Sequence, residues 1–280
     1  MIPVLVKDIF PNAALEKYVR MYQVFRFVFD KNIIPPIKHH YPRPEHCITF
    51  YIKDTQKFKY SDFETVNSYP QCIINGMHTT PICRYGGNDF LAIKTVLRPA
   101  VLYQLIRIPL KELTNTFINA EDIWGNEVCS VCNRLRQLDE LPEMITVIES
   151  FIESRIKKIK KDFQPIDETA DLILNSENNV SIDWLANQSC LSVRQFIRKF
   201  EERIGISAKT LARITRFDKA YRMKNRHPEY DWLFIAVSCN YYDYQHMVKD
   251  FKEFSNLTPF QLYELELNAP ERSFGFSYLT

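Results

Sequence analysis

The sequence predicts an α+β chain, strand-rich in its first part and all-helical in its last. Short apolar or alternating runs fill residues 23 to 98, the hydrophobic period shifts towards 3.6 after Pro99, and the helical tail contains an internal repeat. With 280 residues the chain is long for one domain and short for three. Two domains are expected, 1–164 and 165–280, each able to bury a core.

The strands come first. "QVFRFVF", "CITFYI", "QCIIN" and "FLAIKTVL" are rich in Val, Ile and Phe and are separated by Pro, Gly and Asn clusters. "ICRYGGNDFLAI" reads as a hairpin turning at Gly86 and Gly87. Together they predict a small β-barrel or sandwich. Next, "PAVLYQLI", "PLKELTNTF", "VCSVCNRLRQL" and "PEMITVIESFIESRIKKIKK" read as helices, three with a proline near the start, where its missing N–H costs little. The last carries an isoleucine stripe (Ile145, Ile148, Ile152, Ile156, Ile159) that could line a dimer or pack on its own sheet. "KKIKKDFQPIDE", 157 to 168, is polar and broken by Pro165, so the domain boundary falls there, with its lysines a solvated linker end.

From 167 onward helices are predicted near 167–176, 181–189, 192–204, 208–225, 231–239, 243–254 and 259–266. Sliding this region by 51 positions lays Phe200 on Phe251, Glu202 on Glu253, Gly205 on Asn256 and Ser207 on Thr258. Ser192 falls on Asp243, and both residue types are good helix N-caps. "WLANQSCLS" and "FIAVSCNYYD" each hold a short apolar helix, a tight turn and that cap, so the pattern is helix-turn-helix, twice.

In the second helix of the first copy, Val193, Phe196, Phe200 and Ile204 share an inner face, leaving Arg194, Gln195, Arg198, Lys199, Glu201 and Glu202 outside. Ile197 borders the Arg194 and Arg198 side, where it could touch a thymine methyl. In the second copy Met247, Phe251 and Phe254 form the inner stripe, leaving Tyr244, Gln245, His246 and Lys249 outside. Arg and Lys suit guanine edges, Gln suits adenine, and apolar atoms suit thymine methyls. The intervening helix would span about 27 Å, close to the duplex turn of about 34 Å. Between 192 and 226 eleven basic residues stand against three acidic ones, the footprint of a polyanion-binding surface, although the whole chain carries only +2.

At "LANQSCLSVRQFIRKFEERIGIS" and "IAVSCNYYDYQHMVKDFKEFSNLTPFQLY" the chain resembles the DNA-binding module of AraC/XylS-type bacterial transcription regulators. The resemblance implies that Arg194, Ile197 and Arg198 face bases from the first recognition helix, and Tyr244, Gln245, His246 and Lys249 from the second. Asn240 and Asn256 stand where the family usually has Gly, and Ala208 where it often has Pro; Asn tolerates the left-handed conformation. The stretch from "GMHTTPICRYGG" to "NAEDIWG" resembles the sheet-plus-helix domain that precedes such modules in some regulators, a place otherwise held by a cupin-like sensing or dimerisation domain. Double-stranded DNA is the expected partner, with a small-molecule effector, RNA polymerase and a homodimer as further possibilities.

No enzyme is expected. Only 6 glycines are present, and there is no G-x-S-x-G, H-E-x-x-H or phosphate loop. Seven cysteines and an opening without an export-leader pattern lead to reduced thiols, a cytoplasmic location and no membrane association. Cys129 and Cys132 have redox or half-zinc spacing but no second pair. His39 and His40 point to opposite faces of a strand, so with His46 and His78 they read as structural histidines. Neither metal nor other cofactor is expected. Phe27, Phe29, Phe50, Tyr51 and Ile93 either line an effector pocket or, the plainer reading, fill the core. The alternative to a DNA-binding regulator is a ligand-binding or protein-interaction module that keeps the helical fold without specific DNA binding.

Overall fold

The computed structural model describes residues 2, 4–60, 65–159, 163–176 and 180–276; Lys160 and Lys161 of the expected linker lie outside them. The chain is α+β. One sheet orders its antiparallel strands β1 (Leu5–Ile9), β2 (Val19–Val28), β9 (Asp89–Leu97), β4 (His46–Tyr51), β7 (Cys72–Asn75) and β10 (Phe117–Asn119). The other runs β3 (Lys38–His40), β8 (Ile82–Tyr85), β5 (Lys57–Tyr60) and β6 (Asn67–Ser68). Each sheet has two open edges, so of the two architectures expected this is the sandwich and not the closed barrel.

Period-two alternation sorts the six-stranded sheet into two faces. Tyr22, Val24, Ile48, Phe50, Leu91 and Ile93 pack against helices, whereas Phe25, Phe27, Tyr51, Phe90 and Ala92 meet Phe58 and Ile82 of the second sheet. The helical layer is α1 (Val101–Ile106), α2 (Ala120–Trp124), α3 (Asn126–Gln137) and α4 (Leu141–Ile156). Ile145, Ile148 and Ile152 are buried in the core under the sheet, so α4 packs on its own sheet.

Two expectations need correction. "ICRYGGNDFLAI" is not a hairpin: β8 pairs with β3 and β5, β9 with β2 and β4, and Gly86 and Gly87 carry the chain from one sheet to the other. Neither glycine has positive φ. Gly87 is required instead by the close approach of Asp54, whose side chain would lie 2.2 Å from any Cβ there. "PLKELTNTF" forms only a 3-10 turn, Leu110–Leu113, because Asn115 takes a left-handed conformation (φ 60°) and Phe117 then enters β10.

The rest is helical: α5 (Pro165–Asn175), α6 (Ile182–Gln188), α7 (Val193–Ile204), α8 (Ala208–Arg226), α9 (Trp232–Ser238), α10 (Tyr244–Ser255) and α11 (Pro259–Glu266), then a 3-10 turn at Pro270–Phe274. Ser181, Ser192, Ser207, Asp231, Asp243 and Thr258 each accept an N–H of the first turn, which sets where six of these helices begin. Phe196, Phe200, Phe217, Phe251 and Phe254, all buried, form one core around α8. Each contributes about 2 to 3 kcal/mol of burial.

The two parts meet at the C-terminal end of α7. His46 Nε2 lies 2.9 Å from the Ile204 carbonyl oxygen, and the Thr114 hydroxyl donates to the Gly205 carbonyl at 2.7 Å. Arg203 forms a buried ion pair with Asp167 of α5 and stacks 4.6 Å from the centre of the Tyr103 ring.

Candidate nucleic-acid interface and effector cavity

The repeat has a changing offset. Leu191 N–H donates to Ala186 and Tyr241 N–H to Ala236, a separation of 50 at that point, whereas the caps Ser192 and Asp243 are 51 apart. The second turn is one residue longer. The additional residue, Tyr242, is 90% exposed. Cys190 and Asn240 occupy matching left-handed positions (φ 53° and 59°), and Asn256 closes α10 in the same conformation as Gly205 closes α7.

On α7, Arg194, Gln195, Ile197 and Arg198 are exposed, while Phe196, Phe200 and Ile204 are buried. Val193, expected inside, is exposed, since it sits in the first turn beyond the reach of the core. Lys199 is half-buried and donates to Gln164 at 3.2 Å. On α10, Gln245 and Lys249 are exposed; Tyr244 and His246 are half-buried, the first packed against the helical core and the second edge-on to Tyr241 at 5.9 Å.

His246 and Lys249 line a cleft of about 630 Å³ beside α8, with Lys209, Arg213, Arg216, Asp250 and Glu253. Arg194, Ile197 and Arg198 stand outside it, so the eight expected contact residues form two groups. The basic stretch is more neutral than its composition implies. Arg213 donates to Asp250 at 2.7 Å and to Glu253 at 2.8 Å, Arg222 to Asp218 at 2.7 Å, and Arg203 to Asp167. Lys224 donates to the carbonyls of Pro228 and Tyr230, both at 2.7 Å. Arg213, Arg222 and Lys224 of α8 are thus already partnered within the molecule.

A second site lies between the sheets. A cavity of about 110 Å³ has an aromatic side (Phe25, Phe27, Phe29, Tyr51, Phe90) and a basic end (Lys38, His40, Arg43, Arg84, Lys94). Of the five residues weighed as pocket lining, Phe27, Phe29 and Tyr51 face it; Phe50 and Ile93 point the other way, Phe50 meeting Phe151 of α4 edge-on. Lys94 is paired with Glu45, a carboxylate which burial would raise but which Lys94, Arg43 and Arg20 hold well below its ordinary range. Arg84 leans on the Tyr69 ring, and its buried Nε has no hydrogen-bond partner among the described residues. Burial, with Arg84 and Lys94 nearby, holds the neighbouring His78 neutral with its pKa at about 3. The basic end thus repels further positive charge. No group of His, Cys, Asp and Glu able to hold a metal, and no helix long and apolar enough to cross a membrane, occurs among the described residues.

No protein-family model and no curated protein matches the chain. Solved structures do. The chain is similar to ToxT from Vibrio cholerae O395, with a TM-score of 0.47 and 11% identity over 89% of this chain and 98% of that one. It is similar to unsaturated fatty acid bound ToxT from V. cholerae strain SCE256, with a TM-score of 0.48 and 12% identity over 92% and 97%. For the AraC-like transcriptional activator CuxR the TM-score is 0.27 and the identity 14%, over 78% of this chain and 88% of that one.

Proposed function

We propose that this chain is a sequence-specific regulator of transcription that binds double-stranded DNA through α7 and α10. Arg194, Ile197, Arg198 and Lys199 serve the first half-site, and Tyr244, Gln245, His246 and Lys249 the second. The observation that carries this is the pair of N-capped helices, each following a short turn with a left-handed residue, each anchored by phenylalanines and presenting donors outward. The 19 residues of α8 between them span about 28 Å, suited to successive major grooves on one face. Lys209 and Lys249 at the cleft supply salt-sensitive phosphate affinity, and the outer helix faces supply base choice.

The sheet-to-sheet cavity is the effector site of this reading. Its aromatic side and basic end suit a small molecule with an apolar body and an anionic head. The internal neutralisation of Arg203, Arg213 and Arg222 favours the second reading, a module without specific DNA binding. Hydroxyl-radical footprinting of the full chain on a duplex enriched from a random pool separates them. The regulator protects two patches about one helical turn apart; a module without specific binding protects none.

A further inference from the structure

The cavity already has an internal occupant. The segment that follows α11 crosses from the helical part to the sandwich, and Pro270, Glu271 and Phe276 line the cavity. Phe274 stacks on Phe27 with ring centres 5.7 Å apart and meets Phe29 at 4.9 Å. Lys38, a cavity-lining cation of β3, donates to Glu266 of α11 at 2.7 Å and to Glu271 at 2.6 Å. Burial would lower the Lys38 pKa, yet the two carboxylates outweigh burial and raise it, so the ammonium is held charged. At its other side the segment is tied to α8 by Arg272, which donates to Asn225 at 2.8 Å.

Size and chemistry then conflict with simple binding. The space left is about 110 Å³, smaller than the roughly 150 Å³ hole that accepts benzene. An effector with an apolar body needs the aromatic surface that Phe274 covers. Its anionic head, on reaching Lys38, competes with Glu271 for the same ammonium.

We propose that residues 270–276 are a displaceable internal ligand of the sandwich cavity, and that an amphipathic anion and this segment bind in mutual exclusion. Because the segment begins where the second helix-turn-helix unit ends, its release loosens α11 from the sandwich, leaving Lys38–Glu266 as the remaining tie between them. Effector occupancy is thereby coupled to the placement of α10. This inference rests on the effector reading of the cavity.

The test uses 8-anilinonaphthalene-1-sulfonate, an aromatic sulfonate whose fluorescence rises in apolar sites, titrated against the full-length chain. The Phe274→Ala, Glu271→Gln double variant should bind the dye about tenfold more tightly than wild type. Adding Arg84→Ala to that variant should reverse most of the gain, because the sulfonate loses a basic group of the cavity. In wild type, saturating dye should speed amide exchange across 266–276 and leave 193–204 unchanged. Equal affinity for wild type and double variant overturns the proposal, as does a gain indifferent to Arg84→Ala, or dye binding that leaves exchange in 266–276 unaltered. Absence of dye binding to every variant removes the effector reading itself, and the proposal with it.

Discussion

The salt dependence of DNA binding follows from which cations are already committed inside the molecule. Eleven basic residues lie between 192 and 226, and Lys249 makes twelve. If all met phosphates, the slope of log K against log salt would be about −11. Arg203, Arg213 and Arg222 are ion-paired, Arg216 leans on Asp250 at 3.9 Å, Lys224 is held by two carbonyls, and Lys199 donates to Gln164. That leaves Arg194, Arg198, Lys209, Lys219, Arg226 and Lys249, none of them with a hydrogen-bond or ion-pair partner among the described residues. If all six, the base-facing ones included, neutralise backbone charge, the slope is about −5.4, so raising KCl from about 0.1 to 0.3 M should weaken binding about 400-fold. Fluorescence anisotropy with a labelled duplex across this range measures it. A slope near −10 would refute the assignment, since the internal pairs would have to open on DNA; a slope near zero would refute phosphate binding altogether.

Three further outcomes follow from the packing. Burial holds His46 neutral with a pKa of about 4, while the unfolded histidine titrates near 6.5. As pH falls through this window the unfolded chain takes up the proton first, so stability present at pH 7 is lost, by about 2 kcal/mol at pH 5. Urea midpoints should therefore fall less between pH 7 and 5 for His46→Gln than for wild type; parallel falls would contradict a buried neutral imidazole. Asp167→Asn removes the carboxylate from buried Arg203 and should cost about 3 to 5 kcal/mol in urea unfolding, and a loss under about 1 kcal/mol would argue against the pair. Gly205→Ala puts a Cβ 2.9 Å from the Leu110 carbonyl oxygen at φ 94°, so the same melts should show a loss of about 1 to 3 kcal/mol. An unchanged midpoint would mean that α7 does not dock on the 110–113 turn.

Elements with a clear period were legible in the sequence. The seven C-terminal helices lie within about two residues of their expected limits, and in six of them a Ser, Asp or Thr cap writes the start into the chain. Strands β2, β4, β7 and β9 were equally plain. The strands β3, β5 and β6 were not: they take their place from pairing within the second sheet across long loops, which leaves no local period. The false hairpin at Gly86 and Gly87 has the same origin, since adjacent strands looked like partners but belong to opposite sheets. For the sites, the outer residues of α7 and α10 followed from helical spacing. What spacing could not show was that the positive charge of Arg203 and Arg213 is met by carboxylates 36 and 37 positions away, whereas the i,i+4 pair of Arg222 with Asp218 could be read from the helix. The basic end of the cavity had one signal, Lys94 in the apolar run "FLAIKTVL", where alternation sends it to the same face as Phe90 and Ala92.

The assignment of α7 and α10 as base-reading helices is tested most directly by selecting bound duplexes from a random pool with wild type, Arg198→Ala and Gln245→Ala. Each variant should lose base preference within one half-site only, the two half-sites being about one turn apart, with the other half of the consensus unchanged. Recovery of the wild-type consensus by both variants would contradict the account.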